Sequence, residues 1–143
     1  LYRRLFQTFS PARFKLMATL LDRMELHLDG RYASQYLMRE DFERTDAAYR
    51  DTENMVNECQ RIGSVVVAAL FVELRDGRIR CSLRSRPDMQ HCCDAGNEQA
   101  VDVSEIAAKF GGGGHRMAAG TYLPAPMEHA MQLIRDEVAK RLG

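Results

Sequence analysis

Val65-Val66-Val67-Ala68-Ala69-Leu70-Phe71-Val72-Glu73-Leu74-Arg75-Asp76-Gly77-Arg78-Ile79-Arg80-Cys81-Ser82-Leu83-Arg84-Ser85-Arg86 is two runs of opposite character joined by a turn. Val65 to Val72 is apolar throughout and rich in β-branched residues, the pattern of a strand covered on both faces. Arg75-Asp76-Gly77 supplies a tight return, because Asp-Gly tolerates the positive φ such a turn requires. From Arg78 onward the residues alternate. Ile79, Cys81, Leu83 and Ser85 face one way; Arg78, Arg80, Ser82, Arg84 and Arg86 face the other. The expectation is a β-hairpin with one apolar and one arginine-rich face.

Upstream, Ser10-Pro11 is a helix start, with Ser10 as N-cap and Pro11 in the first turn. Met17, Leu20, Leu21, Met24 and Leu28 recur at helical spacing, and Asp29-Gly30 reads as the stop. A helix of roughly 18 residues would span about 27 Å. Arg31 to Arg39 reads as a strand and Asp41-Phe42-Glu43-Arg44 as a short helix or turn. A helix capped by Asp51 or Thr52 follows, with Met55, Val56, Cys59 and Ile62 on its buried face and Gly63 at its end.

Downstream, Pro87 to Ala100 is polar and irregular. Val103 to Phe110 reads as a short helix capped by Asp102 or Ser104. Next comes Gly111-Gly112-Gly113-Gly114-His115-Arg116-Met117-Ala118-Ala119-Gly120, which holds four of the chain's 10 glycines in one row. Such a run can take positive φ and bring bare N–H groups close to a ligand. Successive amides turned the same way form a concave nest suited to phosphate, and His115 adds a donor at its rim. Its structured flanks argue against a flexible linker. A strand from about Met117 to Leu123 is broken by Pro124 and Pro126. Met127, Ala130, Met131, Ile134 and Val138 then mark an amphipathic closing helix. The order implies an α/β domain with a mixed β-sheet flanked by helices.

The 143 residues are enough for one domain, or one domain with a connecting element. A hydrophobic content of 45% supports a packed core, so disorder is not expected. Basic and acidic residues balance at 20 each, so only a local basic patch, not the overall charge, argues for an anionic partner. No apolar run approaches the ~20 residues of a membrane helix, and no signal peptide is visible, so no membrane association is expected. The four cysteines, two of them adjacent, form no paired framework, which points to a reducing, cytoplasmic setting. The chain opens at Leu1, not methionine, and in what reads as a helix end, so a longer protein is expected.

Leu83-Arg84-Ser85-Arg86 places two guanidiniums and a hydroxyl at the end of a rigid hairpin, and arginine grips phosphate or carboxylate with a planar fork. Arginines on one strand face are commonly just solvated; the glycine nest in the same small domain shifts the reading toward one anion site. His91-Cys92-Cys93-Asp94 lacks the second pair that structural zinc requires. There is no clustered Asp/His set able to hold two catalytic metals, and no nucleophile motif.

Together, Ser82-Leu83-Arg84-Ser85, Val101-Asp102-Val103-Ser104-Glu105-Ile106-Ala107 and the Gly111 to Gly120 run resemble the C-terminal, DHH-associated domain of the DHH phosphoesterase family. Asp51 to Asn57 and the buried strand resemble its branch of nano-RNases and phosphoadenosine-phosphate phosphatases. The resemblance covers roughly residues 30–143; residues 1–29 resemble the connector helix that leads from the N-terminal catalytic domain. The Pro87 to Ala100 segment is longer than in many such relatives. The resemblance implies a substrate-binding domain, with hydrolysis by two Mn2+ ions in an N-terminal DHH domain outside this fragment. No catalytic or metal-binding residue is then expected in this fragment. Arg84 and Ser85 would grip a phosphate or terminal nucleotide, the amides of Gly112, Gly113 and Gly114 with the side chain of His115 would hold the phosphate, and Arg86 is a weaker candidate. Implied partners are short single-stranded RNA or a nucleotide substrate and the chain's own DHH domain, and a homodimer is compatible. A similar glycine-rich domain forms the C-terminal appendage of alanyl-tRNA synthetases, which keeps a non-catalytic nucleic-acid-binding module as the alternative.

Overall fold

The structure, a computed structural model, describes residues 10–88 and 100–143. In chain order the elements are α1 (Pro11–Asp22), β1 (Glu25–His27), β2 (Tyr32–Leu37), α2 (Arg39–Thr45) and two 3-10 segments (Tyr49–Thr52 and Met55–Arg61). They continue with β3 (Val67–Glu73), β4 (Ile79–Ser85), α3 (Val103–Ala108), β5 (Gly113–His115), β6 (Ala118–Leu123) and α4 (Met127–Leu142). The strands form one sheet in the order β1-β2-β3-β4-β6-β5. β2 and β3 run parallel and every other neighbouring pair antiparallel, which is the mixed α/β sheet read from the sequence.

The β3–β4 hairpin forms as expected. Its turn is closed by the Leu74 amide on the Arg78 carbonyl (2.8 Å) and the Gly77 amide on Leu74 (3.0 Å). Gly77 sits at φ +89°, which explains the glycine there. Along β4, Ile79, Cys81, Leu83 and Ser85 are buried, and the intervening Arg80, Ser82 and Arg84 are only partly covered.

Each face of the sheet has its own core. On one, Phe71, Cys81, Leu83, Ala119 and Leu123 lie under Val103 and Ile106 of α3 and Ala130, Ile134 and Val138 of α4. On the other, Ala33, Leu37, Ala68, Leu70 and Val72 lie under Leu16 and Leu20 of α1 and Met55, Val56 and Cys59 of the second 3-10 segment. This second cover centres on β2 and β3 and thins toward β6 and β5. The arginine-bearing side of β4 lies where it thins.

Three expectations are corrected here. The first helix ends at Asp22 rather than at Asp29-Gly30. Glu25–His27 forms an edge strand on β2, pairing Glu25 with Ser34 and His27 with Tyr32. Leu28, Asp29 and Gly30, all at positive φ, turn that hairpin; Asp-Gly suits a hairpin turn as well as a helix stop. The helix expected over Thr52–Cys59 is two 3-10 segments, interrupted at Asn54, which takes a left-handed conformation (φ +64°). Met55, Val56 and Cys59 are nevertheless its buried face. Third, the glycine run does not curl into a nest. Gly111 at φ +82° closes α3, with its amide on Ala108 (3.2 Å) and the Gly112 amide on Ala107 (2.9 Å), the paired bonds of a Schellman stop. Gly113 and Gly114 then run on as edge strand β5. Among the described residues no helix is long and apolar enough to cross a membrane.

Candidate functional site

The sheet register brings Arg84 and His115 together. Ala118 on β6 is the Cα partner of Arg84 on one side and of His115 on the other. Cross-strand partners share a face, so both side chains stand over Ala118 on the thinly covered side of the sheet. One step along, Ser82, Gly120 and Gly113 form the next row, and Arg80 pairs with Tyr122 beyond it. Two glycines and an alanine floor this patch, which keeps it shallow between the longer side chains.

Arg84 is half-buried, and its Nη1 donates to the neighbouring Leu83 carbonyl (3.0 Å). It makes no ion pair with any described residue. Burial, and then the nearby Arg80 guanidinium, push its pKa below the usual arginine value. A guanidinium so placed gains from an incoming anion, which replaces lost hydration and offsets the repulsion. Beside it, a cavity of about 290 Å³ is lined by Arg84, Ser82, Tyr49, Arg50, Asn54 and the carboxylate-bearing Glu53, with Leu70 and Val72 at its apolar side. His115 is exposed on the edge strand. An edge strand leaves part of its backbone N–H groups unpaired, so the Gly113–Gly114 stretch still offers amide donors beside His115.

Other expected residues do not join this group. Ser85 faces the α3–α4 core, where it is 4% exposed. Its hydroxyl lies 2.7 Å from the Val101 carbonyl and 3.3 Å from that of Arg116, so it ties β4 to the segments around α3. A single step along a strand reverses the face, and Ser85 follows Arg84 by one residue. Gly112 is also structural: its amide is committed to Ala107, and a Cβ there would come within 2.3 Å of the Gly120 carbonyl oxygen. Arg86 clasps the loop before β3, with Nε on the Val65 carbonyl and Nη2 on those of Ile62 (3.0 Å) and Gly63 (2.6 Å). His91-Cys92-Cys93-Asp94 lies outside the described residues.

Ser82, Arg80, Tyr122 and the Tyr49–Asn54 segment belong to the patch and were not picked out as candidates from the sequence. For the first two the signal was present, since the β4 alternation already put Arg80 and Ser82 on the face of Arg84. The Tyr49–Asn54 segment reaches the site only through tertiary packing. A cavity of about 650 Å³ opens on the opposite face, between His27, Tyr32 and Tyr36 and the Met127, Met131 and Arg135 side of α4. Among the described residues, no group of three or more His, Cys, Asp or Glu is placed to hold a metal ion.

Residues 29–143 match the DHHA1 domain family. The chain is 27% identical over 136 residues to the bifunctional oligoribonuclease and PAP phosphatase NrnA of Thermus thermophilus, covering 91% of this chain and 36% of that protein. It is 31% identical over 127 residues to a probable bifunctional oligoribonuclease and PAP phosphatase NrnA of Streptococcus mutans, covering 85% of this chain and 36% of that protein. The chain thus spans 36% of the length of each of these curated relatives. Among solved structures, an exopolyphosphatase-related protein from Bacteroides fragilis aligns with a TM-score of 0.79 at 28% identity, over 97% of this chain and 37% of that one. A pGpG-specific phosphodiesterase from Vibrio cholerae shares the fold, with a TM-score of 0.55 at 11% identity, over 90% of this chain and 38% of that one.

Proposed function

The chain belongs to the DHHA1 domain family, and from that premise we propose that it is the substrate-holding domain of a manganese-dependent phosphoesterase. The substrates on this reading are short single-stranded oligoribonucleotides or small nucleotides such as phosphoadenosine phosphate, the classes named for its NrnA relatives. The observation that carries the reading is the row Arg84, Ala118, His115: an arginine and a histidine side chain over a small floor, on the side of the sheet the helices leave thinly covered.

On this reading the metal ions and the attack on phosphorus belong to a catalytic domain outside this chain. What this chain supplies is position and charge. Arg84 offers a planar fork to a phosphate or terminal phosphodiester, His115 a second donor across Ala118, and the edge of β5 its backbone amides. The cavity beside Arg84, with Tyr49, Arg50, Asn54 and Ser82, has both aromatic and polar walls for a nucleoside. Fixing the substrate's charge in a half-buried setting strengthens each contact relative to open water.

Titration of a 5′-phosphorylated diribonucleotide tests this. Arg84→Ala and His115→Ala should each cost on the order of 1–3 kcal/mol of affinity, as for other charge-assisted hydrogen bonds. These 143 residues alone should give no hydrolysis with added Mn2+. Unchanged affinity in both variants, or robust turnover by the domain alone, would reject the assignment.

A further inference from the structure

Arg80 does not extend away from the sheet. Its guanidinium lies on the Gly120 backbone: a Cβ at Gly120 would sit 2.4 Å from Nη2, 2.8 Å from Cζ and 3.1 Å from Nη1. Gly120 is the partner of Ser82, not of Arg80, so the side chain leans one row toward Arg84. The Cα positions of Arg80 and Arg84 are four residues apart on β4, roughly 13 Å at strand spacing. The lean brings the Arg80 charge back to the row between them, about 7 Å along the strand from Arg84. That step is comparable to the separation of successive phosphates in an extended single strand.

The arrangement is held on purpose-built contacts. Tyr122, the cross-strand partner of Arg80, places its ring centroid 5.0 Å from the Arg80 Cζ and 4.4 Å from that of Arg78. Arg78 is already bound to Asp76 (2.7 Å). Arg80 and Arg84 make no ion pair with any described carboxylate, and burial, then the nearby Arg80 charge, lower the Arg84 pKa. Two like charges facing one shallow patch, with no ion-paired counter-ion among the described residues, raise the energy of the empty patch and favour a ligand carrying two anionic groups.

We infer that the Arg80 guanidinium, seated on Gly120 and braced by Tyr122, is a second phosphate-binding position one nucleotide from Arg84, so that the patch takes an oligonucleotide across two successive phosphates. This rests on the reading of Arg84 and His115 as the first phosphate site. Tyr122 acts as a positioning residue through Arg80. The inference selects oligoribonucleotides over mononucleotides as the preferred ligand class of this face.

The test measures dissociation constants of the full chain for 5′-phosphorylated tetra-adenylate and for adenosine 5′-monophosphate across a series of salt concentrations. Arg80→Ala should weaken the tetranucleotide about tenfold and leave the mononucleotide within about twofold. It should also reduce the salt slope for the tetranucleotide by about 0.7, the amount of one released counter-ion on a single strand. Gly120→Ala keeps the charge and only pushes the flexible end of Arg80 off its seat, so the fold survives and the same selective loss is expected. Equal loss for both ligands, or an unchanged salt slope, would overturn the second position. Arg84→Ala separates the two levels: it should weaken both ligands, and if it weakens neither, the first site fails rather than the second.

Discussion

Arg84 and His115 never touch in sequence or across a strand pair, yet both are register partners of the single residue Ala118, one on each flank. The gap between them is therefore set by the sheet itself, two inter-strand spacings of about 4.8 Å. Its depth is set by the smallness of the Ala118 side chain. An anion bridging the two must rest above that methyl group.

Ala118→Leu should therefore block ligand without removing any binding group. We expect affinity for a phosphorylated dinucleotide to fall at least about tenfold. Stability should change by less than about 0.5 kcal/mol, since Ala118 lies at a partly open surface. Ser85→Ala is the mirror case. It removes a buried hydroxyl bonded to the Val101 carbonyl, so it should cost about 1 kcal/mol of stability and leave ligand affinity unchanged. Chemical denaturation and calorimetric titration of the two variants check both statements.

The four consecutive glycines are not equivalent. Gly112 and Gly114 approach β6 so closely that a Cβ would fall within 2.3 Å of the Gly120 oxygen and 2.6 Å of the Ala118 oxygen, both backbone atoms that cannot swing aside. Gly111 has open space but φ +82°; Gly113 has open space and no such restriction. Alanine should accordingly be tolerated at Gly113, cost about 1 kcal/mol at Gly111, and cost more, on the order of 3 kcal/mol, at Gly112 and Gly114. Thermal unfolding of the four single variants gives the order. A Gly113 variant as damaged as the Gly112 one would contradict the edge-strand geometry.

The glycine run also shows where sequence reading stops. That Gly111 to Gly120 is close-approach backbone beside a histidine was readable from residue types alone. Which amides remain free was not, because that depends on α3 ending on Gly111 and β5 pairing with β6, both long-range outcomes. The β3–β4 hairpin was fully readable, since strand alternation and an Asp-Gly turn are local. Local alternation also separated Arg84 from Ser85; their adjacency in the chain, and then the family resemblance, drew them into one expected site. The first helix failed for the opposite reason. Met24 and Leu28 continue a helical period by chance, and only the pairing of Glu25–His27 with β2 decides that the chain has already turned into a strand.

That early turn is fixed by Asp41, whose stability contribution has a predictable pH dependence. Its buried carboxylate accepts two bonds from Arg23 (2.5 and 2.9 Å), one from the Met38 amide (2.7 Å) and one from Arg44 (3.2 Å). The group ties the end of α1 to the start of α2. Burial alone would raise its pKa, but the Arg23, Met38 and Arg44 bonds together hold it below the usual carboxylate range. A carboxyl depressed in the folded state stabilises the fold above its unfolded value of 3.8, and that stabilisation is lost as pH falls through the lower folded value. Asp41→Asn keeps the shape and removes the charge, so it should cost on the order of 3 kcal/mol at pH 7. The difference between the parent and the variant should shrink only once the pH drops below about 4. Urea midpoints measured from pH 7 to pH 2.5 check this, and a difference that stays constant across the range would show that the Asp41 charge is not what joins the two helices.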